Sequence, residues 1–410
     1  ALAAAPSAPP PPVTAPPPEP VPQPSAEPEA PYQLVDIFYA TDRRRTGSKE
    51  PARYFSGKRG SMSYGKATIS VPTRRQVGEI PTPSIFALEF RPDPEKHFIL
   101  TGIAPINSKD GFFSAVGQVV GASREKEAFV FIHGFNSSFE GGALRTAQLA
   151  ADLKFDGAAI LYSWPSRGDL FGYGDDGREA DSDLEARALA DFLTDVAALT
   201  GAERIIVIAH SMGNRPLLNA LQRITPPPPG APVPFDEIVM AAPDVGVDDF
   251  EEAWPRARQV GGRFTLYASK RDKALMFSAQ INGMRRVGDA NRILVTDGLD
   301  TVDTTAASSG LIGHDDFAGT ALDDFRAVVW LSLAPDRRCV LQSGSEDSRW
   351  WQFGGACPVD DFRAATTAAR AAGGADAALA KVDQDLPKTR GAAREGLSRL
   401  RDMLVRLLGL

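Results

Sequence analysis

The chain has 410 residues, enough for one large domain with appendages or for two domains. Hydrophobic residues make up 43% and charged residues 24%, a globular balance. No stretch approaches the roughly 18 consecutive apolar residues of a membrane-spanning helix. The formal net charge of −7 leaves no basic face of the kind nucleic-acid binding needs, so no nucleic-acid partner is expected.

Residues 1–31 are largely Pro, Ala and Glu, a composition that cannot bury a core and predicts a disordered, extended tether. The chain starts at Ala1 rather than Met, as it would after removal of a secretion signal or lipid-anchored leader. The expected location is therefore extracytoplasmic: periplasmic, secreted or envelope-anchored. Leu34 to Ala40 reads as a strand ending at a charged turn, Asp42 to Arg45. Short strand-like runs follow at Ala67 to Val71, Ile85 to Phe90 and Phe98 to Ile103.

From about Ala128 apolar runs alternate with helical patterns. AFVFIHG, AAILYSW, RIIVIAHS, EIVMAAPD, RFTLYAS and RILVTDG read as strands. Helices are expected near Gly142–Leu153, Leu184–Leu199, Met212–Arg223, Asp248–Arg258 and Lys273–Ile281, with a closing one from about Asp315 to Leu333. Apolar runs of this kind are buried on both faces of a parallel sheet, so the fold class is α/β. The architecture expected is a mostly parallel, doubly wound sheet with helices on both faces, the early strands forming an antiparallel edge.

These patterns divide the chain into a tether (1–31), an α/β domain (32–335), a loop region with cysteines and tryptophans (336–360) and a helical extension (361–410). The only cysteines, Cys339 and Cys357, are expected to form one local disulfide in an oxidising compartment. Neither has metal-ligand spacing, and a structural zinc site is not expected. In the extension, Leu397, Leu400, Leu404 and Leu407 recur at heptad-like spacing among Arg394, Arg399, Arg401 and Arg406. Three readings stay open for this helix: packing on the body, dimerisation, or lying on an anionic membrane.

The central motif is Ala209-His210-Ser211-Met212-Gly213, a G-x-S-x-G pattern with Ala first, set between a buried strand and a helix. Small residues two before and two after a nucleophile let the backbone bend sharply, and the helix N-terminus favours a developing oxyanion. The alternative is that Ser211 only caps a helix. Upstream, His133-Gly134-Phe135-Asn136 follows the strand of Phe129 to Ile132. An HG-x turn in that place aims a backbone N–H into an oxyanion hole, so the two donors expected are the N–H groups of Phe135 and Met212.

A base follows by elimination among four histidines. His97 precedes the α/β region. His133 and His210 flank the turn and the nucleophile, where Gly134 and His210 are expected to border the substrate. His314 follows the last predicted strand, where the order Ser, acid, His puts the base. Two aspartates compete for the acid. Asp272 follows RFTLYAS and is preferred, while Asp244, one strand earlier, is the reserve; either would also suit a helix cap. Trp164 follows a strand end and lines an acyl or alcohol site or else belongs to the core. Tyr173, Asp175 and Asp176 fall in a Gly-rich stretch read as a lid or a solvated connection.

With these motifs in place, the chain resembles a bacterial α/β-hydrolase family long of unknown function, some members of which are described as esterases. The matching stretches are FYATDR, SYGKATISVP with VGEI, FIHGFNSSFE, YSWPSRG, AHSMGN, APDV, LYASKRDKAL and GHDDF, covering roughly Val35 to Phe317. The resemblance implies the α/β-hydrolase fold, with Ser211 as nucleophile, Asp272 as acid and His314 as base. It departs from the family at GHDDF, which makes the rim beside His314 more acidic, and at Arg74-Arg75-Gln76, which lacks an expected histidine. The chemistry expected is cleavage of a small-molecule or lipid-like carboxylic ester through an acyl-enzyme, without metal or organic cofactor. Acyl transfer, thioester or amide cleavage would use the same triad. A non-catalytic, envelope-tethered binding protein is the reading from another class.

Overall fold

The computed structural model describes residues 30–83, 91–168, 172–307, 319–347 and 349–410. Its strands are β1 (Tyr32–Arg45), β2 (Phe55–Pro72), β3 (Ile99–Ile106), β4 (Glu127–Ile132), β5 (Ala158–Ser163), β6 (Arg204–His210), β7 (Phe235–Ala241), β8 (Gly261–Ala268), β9 (Asp300–Asp303), β10 (Leu341–Ser343) and β11 (Trp351–Phe353). The helices are α1 (Lys109–Ala122), α2 (Phe139–Asp152), α3 (Tyr173–Ala180), α4 (Asp183–Leu199), α5 (Asn214–Leu221), α6 (Val247–Ala257), α7 (Lys273–Asn282), α8 (Gly319–Leu331), α9 (Val359–Ala372), α10 (Ala375–Asp385) and α11 (Ala392–Leu408).

All of β4 and β5 is buried. Phe129 and Phe131 of β4 face one core, and Ala128, Val130 and Ile132 face the other. Strands apolar on both sides must be covered on both, and the chain supplies a helix after nearly every one. The first core is closed by α2, α8 and α9–α11, the second by α1, α4, α5 and α6. Each Phe or Leu moved into these layers is worth about 1.5–3 kcal/mol.

The strands form one sheet of order β10-β11-β9-β8-β7-β6-β4-β5-β1-β2-β3. Neighbours from β11 to β1 run parallel, whereas β1–β2–β3 and β10–β11 pair antiparallel. The order doubles back at β4, which has β5 on one side and β6 on the other. The loops leaving β4 and β6 therefore open on a shared crevice, the usual ligand position in such sheets.

Several expectations need correction. Asp42 to Arg45 is not a turn; β1 continues through it with register shifts, and both Asp42 and Arg43 are buried. RILVTDG forms no strand. Leu294 is buried, and its carbonyl accepts a hydrogen bond from Thr301 Oγ1 at 2.8 Å, so the run packs as a loop while DTVD supplies β9. Helix α1, absent from the sequence reading, seats Phe112, Phe113, Val116 and Val120 on the core. The region 336–360 is not merely loop, because β10 and β11 extend the sheet beyond β9. The Cys339–Cys357 disulfide is present.

The strand expected at Ile85 to Phe90 lies outside the described residues, as does the tether except for its last two residues. There the carbonyls of Ala30 and Pro31 accept from Thr73 Oγ1 at 2.9 and 3.0 Å. In α11, Met403, Leu404 and Leu407 are buried, and Leu397 and Leu400 pack against the same core. Its apolar stripe is therefore covered by the chain itself. Among the described residues, no helix is long and apolar enough to cross a membrane.

Candidate active site

Ser211 sits between β6 and α5, in a single turn of 3-10 helix, with φ at 52°. A left-handed conformation costs a non-glycine residue on the order of 1–3 kcal/mol, so the surrounding contacts must enforce it. Two glycines allow the close approach. A Cβ at Gly213 would lie 2.4 Å from the His133 carbonyl oxygen, and one at Gly134 would lie 2.8 Å from Ser211 Cβ. The turn after β4 and the bend at Ser211 are thus pressed together at the ends of β4 and β6. Asn214, which no sequence signal singled out, latches the bend. Its buried Nδ2 donates to the carbonyls of Ala209, Ser211 and Ala241 at 3.3, 3.0 and 3.3 Å.

The turn after β4 is held by Arg43, also missed in the sequence. Its fully buried guanidinium donates to Ser163 Oγ, the Ser166 carbonyl and the Ser137 carbonyl at 2.8, 2.7 and 2.6 Å, and to His133 Nε2 at 3.1 Å. Accepting from Arg43 makes Nε2 the unprotonated nitrogen, so Nδ1–H donates to the Gly134 carbonyl at 2.9 Å. Burial, reinforced by Arg43, pushes the His133 pKa down to about 3. His133 is therefore a neutral brace. Trp164 stacks on it at 5.2 Å and donates Nε1–H to its carbonyl at 2.7 Å. With no exposed surface, Trp164 belongs to the core beneath the turn and does not line an open acyl site, because burying its ring under the turn leaves no face for a substrate.

Phe135 is half-buried and Met212 fully buried on the two sides of this contact. Gly134, Phe135 and His210 border a cleft of ≈ 380 Å³, which Ile80 and Leu144 also line. His210 is half-buried at the end of β6.

Both candidate acids are buried. Asp272 caps α7, accepting the Leu275 N–H at 2.9 Å, so the cap reading of this residue holds whatever else it does. The Asp244 carboxylate is fully engaged. Tyr173 Oη at 2.8 Å and Arg215 Nη2 at 3.1 Å reach Oδ2, while Arg286 Nε at 3.1 Å and Ser278 Oγ reach Oδ1. Its backbone N–H also donates to the Ser211 carbonyl at 3.2 Å. Asp244 is thus a strut tying α3, α5 and α7 to the elbow. The Gly-rich stretch read as a lid or solvated connection is α3 itself, with Tyr173 and Asp176 buried. Asp176 is drawn in by Ser166 Oγ at 2.5 Å and the Arg167 N–H at 2.8 Å.

His314 lies outside the described residues, as do the first residues of the helix expected from Asp315. Among the described residues no group of His, Cys, Asp or Glu has the arrangement to hold a metal ion.

Comparison with curated proteins finds no match. Solved structures similar to the chain include an esterase of Pyrococcus furiosus, at 14% identity and TM-score 0.28, covering 50% of this chain and 80% of that one. MenH of S. aureus is similar at 12% identity and TM-score 0.27, covering 51% of this chain and 93% of its own. A lipase-esterase related protein of Clostridium acetobutylicum stands at 11% identity and TM-score 0.27, with 50% and 94% covered. The family model described as "Alpha/beta hydrolase of unknown function (DUF900)" matches residues 108–323, just over half of the chain. The chain belongs to this α/β-hydrolase family.

Proposed function

We propose that the protein is a serine hydrolase that cleaves a small-molecule or lipid-like carboxylic ester through an acyl-enzyme. The observation that carries this reading is the left-handed Ser211, clamped between Gly134 and Gly213 beside the turn after β4. A strained serine at a strand-to-helix bend presents its hydroxyl clear of the sheet. In the proposed reaction Ser211 Oγ attacks the ester carbonyl and His314 takes its proton. The N–H groups of Phe135 and Met212 stabilise the oxyanion. The intermediate collapses as His314 returns the proton to the departing alcohol. Water, deprotonated by His314, then releases the acid. Asp272 would orient the imidazole and stabilise its charged form. Asp244 is less suited to that task, because four side chains already occupy its carboxylate. His133 is unsuited as base, since both ring nitrogens are engaged and burial keeps it neutral. The disulfide supports an extracytoplasmic, oxidising location.

The test is labelling with a fluorophosphonate, read by intact mass on the wild type and on Ser211→Ala. One adduct on the wild type and none on the variant is expected, with hydrolysis of an ester panel lost in parallel. Folded wild type that takes up no label would sink the reading.

A further inference from the structure

Helix α7 is built inside out. Its inward face carries Leu275 together with polar Ser278, whose Oγ bonds to Asp244 and lies 2.5 Å from Tyr173 Oη. Asn282 adds a hydrogen bond to the same Tyr173 oxygen at 3.1 Å. The outward face carries Met276, Phe277 and Ile281, exposed by 49%, 56% and 52%, and Met284 follows at 39%. At about 100° per residue, the three helical side chains fall within one arc of roughly 140°. A surface helix ordinarily places these residue types the other way round. Single exposed apolar residues are commonplace, but clustering is not. Among the described residues nine large hydrophobics are exposed, and these four lie within the nine positions 276–284.

The charge around the patch is equally lopsided. Lys270, Arg271, Lys273, Arg285 and Arg292 are exposed on or beside the helix. Between positions 270 and 288 the only carboxylate is Asp272, which is buried. Lys270 pairs with Asp303 at 3.4 Å, whereas Arg271, Lys273 and Arg285 pair with no carboxylate among the described residues. Asp181, Asp249 and Glu252 line a cleft shared with Met284, so the cations flank the apolar face without closing a ring. Unpaired cations beside such a face are still out of keeping with a chain of net charge −7.

We propose that α7 and the turn after it dock the protein on an anionic phospholipid bilayer. Met276, Phe277, Ile281 and Met284 would enter the interface, with Arg271, Lys273 and Arg285 against the headgroups. Apolar burial and headgroup attraction are the two contributions that hold an amphipathic helix in the interfacial plane. The cations favour a bilayer over a second copy of this chain. Arg271, Lys273 and Arg285 have no carboxylate partner of their own among the described residues, and an antiparallel pairing of two α7 helices would bring Lys273 toward Arg285 of the other copy. The surface is distinct from α11, whose apolar stripe is already packed. Docking is independent of the serine chemistry and survives its failure, since the readout is binding.

The full chain is sedimented with vesicles of phosphatidylcholine alone and of phosphatidylcholine mixed with phosphatidylglycerol. Binding to the mixed vesicles only, released by salt, is expected. Phe277→Asp/Ile281→Asp abolishes it. Lys273→Glu/Arg285→Glu weakens it by at least roughly fivefold for each cation removed. Leu184→Asp, at an exposed leucine in α4, binds as the wild type. All four side chains of the double variants are exposed, so thermal unfolding stays unchanged. Emission of Phe277→Trp shifts to the blue with mixed vesicles alone. The proposal is overturned by wild type remaining in the supernatant, or by α7 variants that bind as the wild type does. It is equally overturned by a dimer in equilibrium sedimentation that Phe277→Asp/Ile281→Asp dissociates without any vesicle binding.

Discussion

At the scale of single residues, the site depends on backbone contacts too close to admit a side chain. A methyl group at Gly134 would meet Ser211 Cβ at 2.8 Å and the His210 carbonyl oxygen at 2.9 Å. The cheapest relief is movement of the 133–136 turn, which carries one proposed oxyanion donor. Gly134→Ala should therefore lower kcat by roughly 10²–10³, the loss typical of one such donor, and cost about 1–3 kcal/mol of stability through overpacking. Steady-state kinetics on an active ester checks this; an unchanged kcat would place the turn away from the reacting carbonyl. Asn214 makes a complementary point about stability. Its amide faces three carbonyl oxygens in a fully buried setting, so Asn214→Asp would point a carboxylate at acceptors only. Urea unfolding should show a loss of about 3 kcal/mol or more.

At the scale of elements, the disulfide links the segment entering β10 to the one entering α9, so it fastens the sheet's far edge to the C-terminal helices. Replacing both cysteines by serine should cost about 2–4 kcal/mol in urea unfolding while leaving ester hydrolysis intact, because the bond lies outside the elbow. A variant as stable as the wild type would show that packing of α9–α11 alone holds this edge. The same edge marks where sequence patterns lose force. β4 to β8 were legible because each is an apolar run flanked by a helix. β9 is four residues of mixed polarity, and β10 and β11 are three residues each, too short for any periodicity. The sharp bend at Ser211 and the tight turn at Gly134 were readable because small residues at fixed local spacing permit them. Arg43 was not, and Asp244 was legible as a reserve acid or helix cap but not as the strut it forms. Arg43 is met by groups 90 and more positions away, and Asp244 by side chains from α3, α5 and α7, partners that no local pattern announces.

At the scale of the whole molecule, the sheet is polarised. Its carboxyl edge carries the bend at Ser211 and the turn after β4, while its amino edge is an ionic belt. Glu127, fully buried at the start of β4, is met by Arg204 from β6 at 3.2 Å and by Arg370 from α9. Arg263 of β8 reaches Asp300 of β9 at 2.7 Å. Glu237 of β7 lies within this belt but is served less well. One oxygen accepts from Thr265 Oγ1 at 3.0 Å, the other has Arg263 Nε no nearer than 3.9 Å, and burial pushes its pKa up to about 8. At neutral pH the folded protein thus holds a proton that the unfolded chain, with a glutamate near about 4.3, has released. The unfolded state binds fewer protons across this interval, so the contribution is full below the unfolded pKa and is lost as pH rises toward 8. Glu237→Gln mimics the protonated form at every pH and removes that slope, while all other groups titrate alike in both proteins. The melting temperature of the wild type relative to the variant should therefore fall steadily between pH ~5 and ~8.5, by at most about 1.4 kcal/mol of stability per pH unit. Two curves that run parallel would mean that Glu237 is ionised in the folded sheet, with Arg263 close enough in solution to hold the charge.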